Sequence, residues 1–220
     1  MAFFDEIAKS VGQMIRFTSI ANGDQVEFPA FVTSFSDEYG VSWGDEQIFG
    51  RIDPIKQYQS TTRRINTSFD ILGKDRETAI QNFENYTRLI RMLYPVYSSP
   101  IGKENNSRVI KAGPLMRIRY SNYIRSTTSE DGLLGCIQGL TFNPQFDSGH
   151  FMNGSGDLIP IRYTMGFTFV PLHEKQLGSD IKGRFLDNTF PYNVSARTTS
   201  NQEIPKPVSE SSALGSSSEE

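Results

Sequence analysis

Between Arg63 and Ile71 the chain alternates without a fault. Ile65, Thr67, Phe69 and Ile71 fall on one side, and Arg64, Asn66, Ser68 and Asp70 on the other. A period of two marks a strand with one face toward a core and one toward water. The pattern returns at Leu115–Tyr120, where Met116, Ile118 and Tyr120 oppose Arg117 and Arg119. It returns again at Ile161–Val170, with Ile161, Tyr163, Met165, Phe167 and Phe169 facing in. Strands of this kind, without the regular strand–helix alternation of a parallel sheet, predict an antiparallel one.

The remaining segments fill in around these strands. EFPAFVTSFS reads as a strand with Phe28, Ala30, Val32 and Ser34 on one side and Phe31 and Phe35 on the other, and Pro29 places it at a sheet edge or a strand start. Leu133–Phe142 is a further strand, whose Gly135 and Gly139 predict a bulge or a close backbone approach. A helix is predicted over about 75–94. Asp75 is its N-cap, Glu77 lies in its first turn, and Pro95 ends it. Ile80, Phe83, Thr87, Ile90 and Leu93 or Tyr94 form its expected buried stripe. The first seventeen residues space Phe3, Phe4, Ile7, Val11, Met14 and Ile15 as an amphipathic helix, suited to folding onto the core or docking on a neighbour. From about Arg197 the Ser-, Glu- and Pro-rich sequence cannot offset its ordering entropy and reads as disordered. The expected organisation is a helical arm over 1–20, a β domain over 21–196 with the helix inserted, and a tail over 197–220. The fold class is α+β, a mainly antiparallel β-barrel or sandwich with one long flanking helix.

Composition narrows the function. A net charge of −3 disfavours a general nucleic-acid binder, which needs clustered Lys and Arg. No apolar run approaches the roughly 20 residues that span a bilayer. With Cys136 as its single cysteine and His150 and His173 as its two histidines, the chain offers no intrachain disulfide and little to hold a metal. It reads as soluble and made in a reducing compartment. Aromatic residues at 12% supply area for a core or for subunit interfaces.

Catalytic signatures are missing: no nucleophile elbow, phosphate loop, His-Glu-x-x-His or dinucleotide fingerprint occurs. The glycines from Asn153 to Asp157 lack a strand-to-helix frame and read as a turn. Asp37–Glu38 and Asp45–Glu46 are adjacent pairs whose members would point to opposite strand faces, so they read as solvated turn charges. His173 reads as a polar residue ending a strand, and Cys136 as a small buried hydrophobe. The pairs Arg63–Arg64 and Arg117/Arg119, near aromatic residues, would suit a single-strand-binding sheet. A solvated or intersubunit salt-bridging face accounts for them better in an acidic chain.

The segment from Trp43 to Asp75 is turn-rich: Gly50-Arg51 and Asp53-Pro54 mark two corners before the clear strand. An arginine between turns can serve as a loop corner or pair bidentately across a subunit boundary.

At this block the chain resembles the tube-initiator and baseplate ring proteins of contractile-tailed phages and related contractile injection systems. The resemblance starts at Trp43, Phe49-Gly50-Arg51-Ile52-Asp53-Pro54-Ile55, Tyr58, Thr62-Arg63 and the strand Ile65–Phe69. It continues through the helix from Asp75 to Leu93, Tyr94-Pro95-Val96-Tyr97 and Gly113-Pro114-Leu115. The glycine-bearing strand and Ile159-Pro160-Ile161 through His173 complete it. It covers about Phe28 to His173. It implies a tail-tube type barrel or sandwich in a virion structural protein, assembled in the host cytoplasm. Six copies would form a ring on the baseplate hub that seeds tail-tube polymerisation. Tube proteins and adjoining baseplate subunits would be its neighbours, and DNA would pass through the lumen without specific binding. Neither cofactor nor metal, reaction nor membrane insertion is implied, and the peptidoglycan-binding module of some relatives is not evident after His173. Expected interface residues are Phe3, Phe4, Ile7, Val11, Arg51, Asp53, Tyr58, Arg63 and Arg64. A tube terminator or connector, or a single-stranded nucleic-acid-binding module, is the alternative.

Overall fold

The computed structural model describes residues 14–98, 108–152 and 156–192. Among them the chain forms β1 (Met14–Ser19), β2 (Gln25–Pro29), β3 (Phe31–Glu46), β4 (Ile55–Leu72), helix α1 (Arg76–Met92), β5 (Val96–Tyr97) and β6 (Ile110–Ala112). It continues with β7 (Met116–Tyr120), β8 (Leu133–Pro144), a 3-10 turn, β9 (His150–Met152), β10 (Leu158–Pro160) and β11 (Arg162–Pro171). Seven strands make one sheet in the order β2-β1-β7-β8-β11-β4-β3, every neighbouring pair antiparallel. β9–β10 and β5–β6 are separate two-stranded ribbons.

The two ends of this sheet meet. β2 and β3 are its opposite edges, yet Ala30 alone separates them along the chain. Consecutive Cα atoms lie about 3.8 Å apart, so both edges reach one corner and the sheet is rolled around its interior. No ladder joins β2 to β3, so the roll is not closed into a hydrogen-bonded barrel. The outward groups of β2 are already used or missing. Gln25 and Glu27 carbonyls accept from Arg88 and Asn85 of α1, and Pro29 has no N–H to give.

Alternation fills the interior as the pattern predicts. Ile65, Thr67, Phe69 and Ile71 of β4, Met116 and Ile118 of β7, and Tyr163, Met165, Phe167 and Phe169 of β11 are all buried. Phe17 lies edge-on to Phe28 and Phe167 at 6.1 and 5.4 Å, and Phe69 meets Phe167 at 6.2 Å. Each such ring stabilises the fold by about 1.5–3 kcal/mol through burial. Phe28 and Ala30 point in, but a bulge between Val32 and Ser34 shifts the phase. Phe35 therefore packs on the core while Phe31 is half exposed.

Three expectations are corrected here. The helical stripe drawn through Met14 and Ile15 overruns, because Met14–Ser19 is strand β1, with Ile15 and Phe17 in the core. The rest of the predicted arm, with Phe3, Phe4, Ile7 and Val11, lies outside the described residues, as do the tail from Arg197 and residues 153–155. The buried stripe of α1 is Ala79, Asn82, Leu89 and Met92, one position off Ile80, Phe83 and Ile90. On this face the main-chain carbonyl of Asn82 accepts from the buried Tyr163 hydroxyl at 3.0 Å. The first stripe is a flank instead: Phe83 leans on Phe142, beside Tyr86 stacked on Phe142 at 4.4 Å. The cap is as expected, with Asp75 accepting from the Thr78 N–H at 2.8 Å. Third, the block from Trp43 is not a string of turns. Most of it is the far half of a long hairpin.

Both glycine signals in β8 are used. The register with β11 slips at Gln138, beside Gly139. At Gly135 a Cβ would stand 2.3 Å from the Val170 carbonyl oxygen and 2.6 Å from Phe169 Cζ. Gly135→Ala is expected to destabilise the fold by about 3 kcal/mol, since backbone and a buried ring must both give way. Urea unfolding checks this, and an unchanged midpoint would refute it.

Candidate functional site

β11 pairs with β4 only from Ile65 to Leu72, whereas β3 stays paired with β4 all the way to Ile55. Beyond Ile65 the β3–β4 hairpin therefore runs on as a two-stranded arm, with no third strand beside it among the described residues. Residues directly opposite in an antiparallel pair share a face. The register Asp37↔Ile65, Tyr39↔Arg63, Val41↔Thr61 and Trp43↔Tyr58, with Gln59 bulged out, carries the core face off the end of the roll. Along it the side chains change from buried Ile65 to a buried ion pair and then to bare aromatics. Trp43 and Tyr58 meet edge-on at 5.6 Å and are each 54% exposed. The other face carries Gly40, Ser42, Gly44, Ser60 and Thr62. At the tip, Gly50 takes φ 88°, which its missing Cβ allows, and the Arg51 N–H bonds Ile48 O at 3.2 Å. Phe49 and Ile52 are wholly exposed there.

The arm's root is fixed by charge. Arg63 donates Nε to Asp37 Oδ1 at 2.9 Å and Nη2 to Oδ2 at 2.6 Å, the two side chains being 2% and 4% exposed. The hydroxyls of Tyr39 and Tyr192 donate to Asp37 Oδ2 at 3.1 and 3.2 Å. Desolvation, together with the Asp37 charge, pushes both phenols above their ordinary pKa, so they stay donors. The guanidinium lies 5.4 Å from the ring centres of both Tyr39 and Phe190. Phe190 is brought there by Asp187, which accepts from the Thr189 hydroxyl and N–H and from the Phe190 N–H. Those bonds, the Thr189 hydroxyl first, hold the Asp187 carboxyl down to about 2.

His173 sets its ring edge-on to Phe190 at 5.4 Å. Desolvation and then the Arg63 charge lower its pKa. A histidine that binds its proton less readily when folded adds stability above its unfolded pKa, about 6.5. That contribution is lost as the pH falls from there toward the folded value. Thermal melts between pH 7.5 and 5 should show a decline that His173→Gln flattens; parallel profiles would refute it. Between arm and loop lies an open cleft of about 420 Å³, lined by Tyr39, Tyr58, Thr61, Lys175, Leu177 and Phe190, among others.

The sequence-predicted site residues divide. Arg51, Asp53, Tyr58 and Arg64 are exposed on the arm. Arg63 is 4% exposed and serves the subunit's own fold, which corrects its placement on an accessible face. Asp37 is likewise no solvated turn charge, while Asp45 pairs with Lys56 across the arm at 2.6 Å. The other arginines proposed for nucleic acid are engaged: Arg117 pairs bidentately with Glu174, and Arg119 donates to Glu130 O at 2.6 Å. Tyr39, Val41, Phe190 and Tyr192 were not singled out. Period-two counting back from Ile65 would have placed Arg63 inward. Among the described residues no three His, Cys, Asp or Glu gather as a metal site, and no helix is long and apolar enough to cross a membrane.

No protein-family model and no curated protein matches the chain. Among solved structures it is similar to a chain of the anti-feeding prophage baseplate, determined by cryo-electron microscopy with six-fold symmetrisation. Identity is 10% and the TM-score 0.28, over 74% of this chain and 93% of that one.

Proposed function

We propose that this chain is a structural ring subunit of a contractile tail, placed where tube meets baseplate, with six copies seeding the tube on the hub. The observation that carries this reading is the arm. Its outer half is a two-stranded ribbon that keeps Val41, Trp43 and Tyr58 exposed on one face. Exposed apolar side chains gathered on one projecting element mark an interaction surface. Aromatic residues are the type that concentrates in interface cores. The ordered run of motifs from Trp43 to His173, which resembles the initiator and baseplate ring proteins, names the class of assembly. In this reading the protein works by geometry alone, without reaction or cofactor, as part of the particle and alongside hub and tube proteins.

Immunogold labelling of purified particles with an antibody to this chain is the test. Label at the junction of tube and baseplate is expected. Label at the head-proximal end would make it a terminator, and absence from both intact and opened tails would overturn a tail role.

A further inference from the structure

The arm's two ends differ in shape. Its tip is a knob, Phe49 and Ile52 wholly exposed on either side of the Gly50-Arg51 corner. Its root opens on the cleft of about 420 Å³ between the arm's aromatic face and the loop from His173 to Phe190. Apolar walls come from Tyr39, Tyr58, Leu177 and Phe190, and Lys175 adds a positive charge. The tip carries Arg51 but also Glu46 and Asp53, all exposed, so its balance is negative. Knob and cleft thus match in polarity and in sign.

They cannot meet within one molecule. From Tyr39 to Glu46 the strand advances about 3.4 Å per residue, which holds the tip on the order of 24 Å beyond the Tyr39 end of the cleft. Pairing of β3 with β4 on both sides of the Gln59 bulge keeps the arm from folding back. An occupant with this complementarity must come from another molecule, and a second copy supplies one.

We infer that the arm tip of one copy, led by Phe49 and Ile52 with Asp53 toward Lys175, seats in the root cleft of the next. Such a contact joins unlike surfaces and so runs head to tail. Repeated, it gives a ring where the rotation closes and an open filament where it does not, whereas a two-fold contact would stop at a dimer. The inference rests on the ring-subunit reading and specifies its contact. It also makes the root of the aromatic face, at Tyr39 and Tyr58, the receiving wall for the tip.

The test uses the full chain with Cys136→Ser, carrying Phe49→Cys, Leu177→Cys or both. Under mild oxidation the double variant should form a ladder of covalent dimers, trimers and higher species, and each single variant none beyond a dimer. Mixing the two single variants should give a covalent dimer bridging Cys at 49 to Cys at 177. In parallel, Asp53→Lys should weaken self-association at least about tenfold, as loss of a central contact does, and Lys175→Asp should restore it. If the unaltered chain assembles but the double variant gives no ladder, this contact is wrong and the ring reading stands. If light scattering finds the unaltered chain monomeric at every concentration, both fail.

Discussion

Arg63→Met should lower the free energy of unfolding by about 3–5 kcal/mol, the largest loss expected from a single side chain here. The reason is the carboxylate left behind. Asp37 is 4% exposed on its side chain, and with the guanidinium gone only the Tyr39 and Tyr192 hydroxyls remain to it. At the size of this chain such a loss lowers the melting temperature by about 10 °C. Arg63→Lys should fall between, since an ammonium cannot reproduce the two-pronged bond or lie over Phe190 in the same way. The double variant Asp37→Asn/Arg63→Met should recover much of the loss, because the stranded charge is removed while an acceptor stays for the phenols. A single-variant loss under about 1 kcal/mol would show that water reaches Asp37 and that the pair holds little.

The second expected result concerns assembly far more than stability. Trp43→Asp with Tyr58→Asp should lower the unfolding free energy by only about 1–2 kcal/mol, from the lost ring pair and two like charges set directly opposite. Incorporation of the chain into particles should be lost or reduced at least a hundredfold, on the order of what two hot-spot truncations cost. The contrast is the informative part. Arg63→Met disables the fold, whereas the aspartate pair leaves a folded subunit with a charged arm. Complementation of a deletion strain, read beside urea unfolding of the purified chain, separates the two. Normal particle yield with the double aspartate would remove the arm's face from the assembly surface.

How far the sequence could be read depended on which residues faced oil and which faced each other. β4, β7 and β11 were legible because they are half-wet strands whose apolar side chains repeat every second position. β1 was not, since Met14 and Ile15 fitted the end of a helical stripe, and only pairing with β2 and β7 makes them strand. α1 was found with its cap, but its buried face was misjudged. Counting apolar residues cannot see that the face of α1 carrying Asn82 is the one whose main-chain carbonyl meets the buried Tyr163 hydroxyl. The arm was missed for a related reason. Its first strand does alternate, Tyr39, Val41 and Trp43 against Gly40, Ser42 and Gly44, but those glycines read as turns, and from Lys56 to Thr61 the second strand is polar at every position except Tyr58. Arg63 shows the limit most plainly. Its phase in the strand pointed inward and its charge pointed outward. The partner that decides the matter, Asp37, lies 26 positions away.

The single-residue link at Ala30 also governs the order in which the molecule can be built. β3 and β4 are chain neighbours, so the arm can zip as soon as both leave the ribosome. The strand that flanks β4 on its other side pairs Thr168 with Asn66, 102 positions apart. Translation at about 5–20 residues per second puts an interval on the order of ten seconds between the two events. Throughout it the nascent hairpin stands alone with Ile65, Phe69 and Ile71, buried in the finished subunit, still bare, and β2, tethered through Ala30, waits with it for β1 to find β7. Copies made on one message therefore expose core surface to one another before they are whole, a hazard the finished subunit no longer carries.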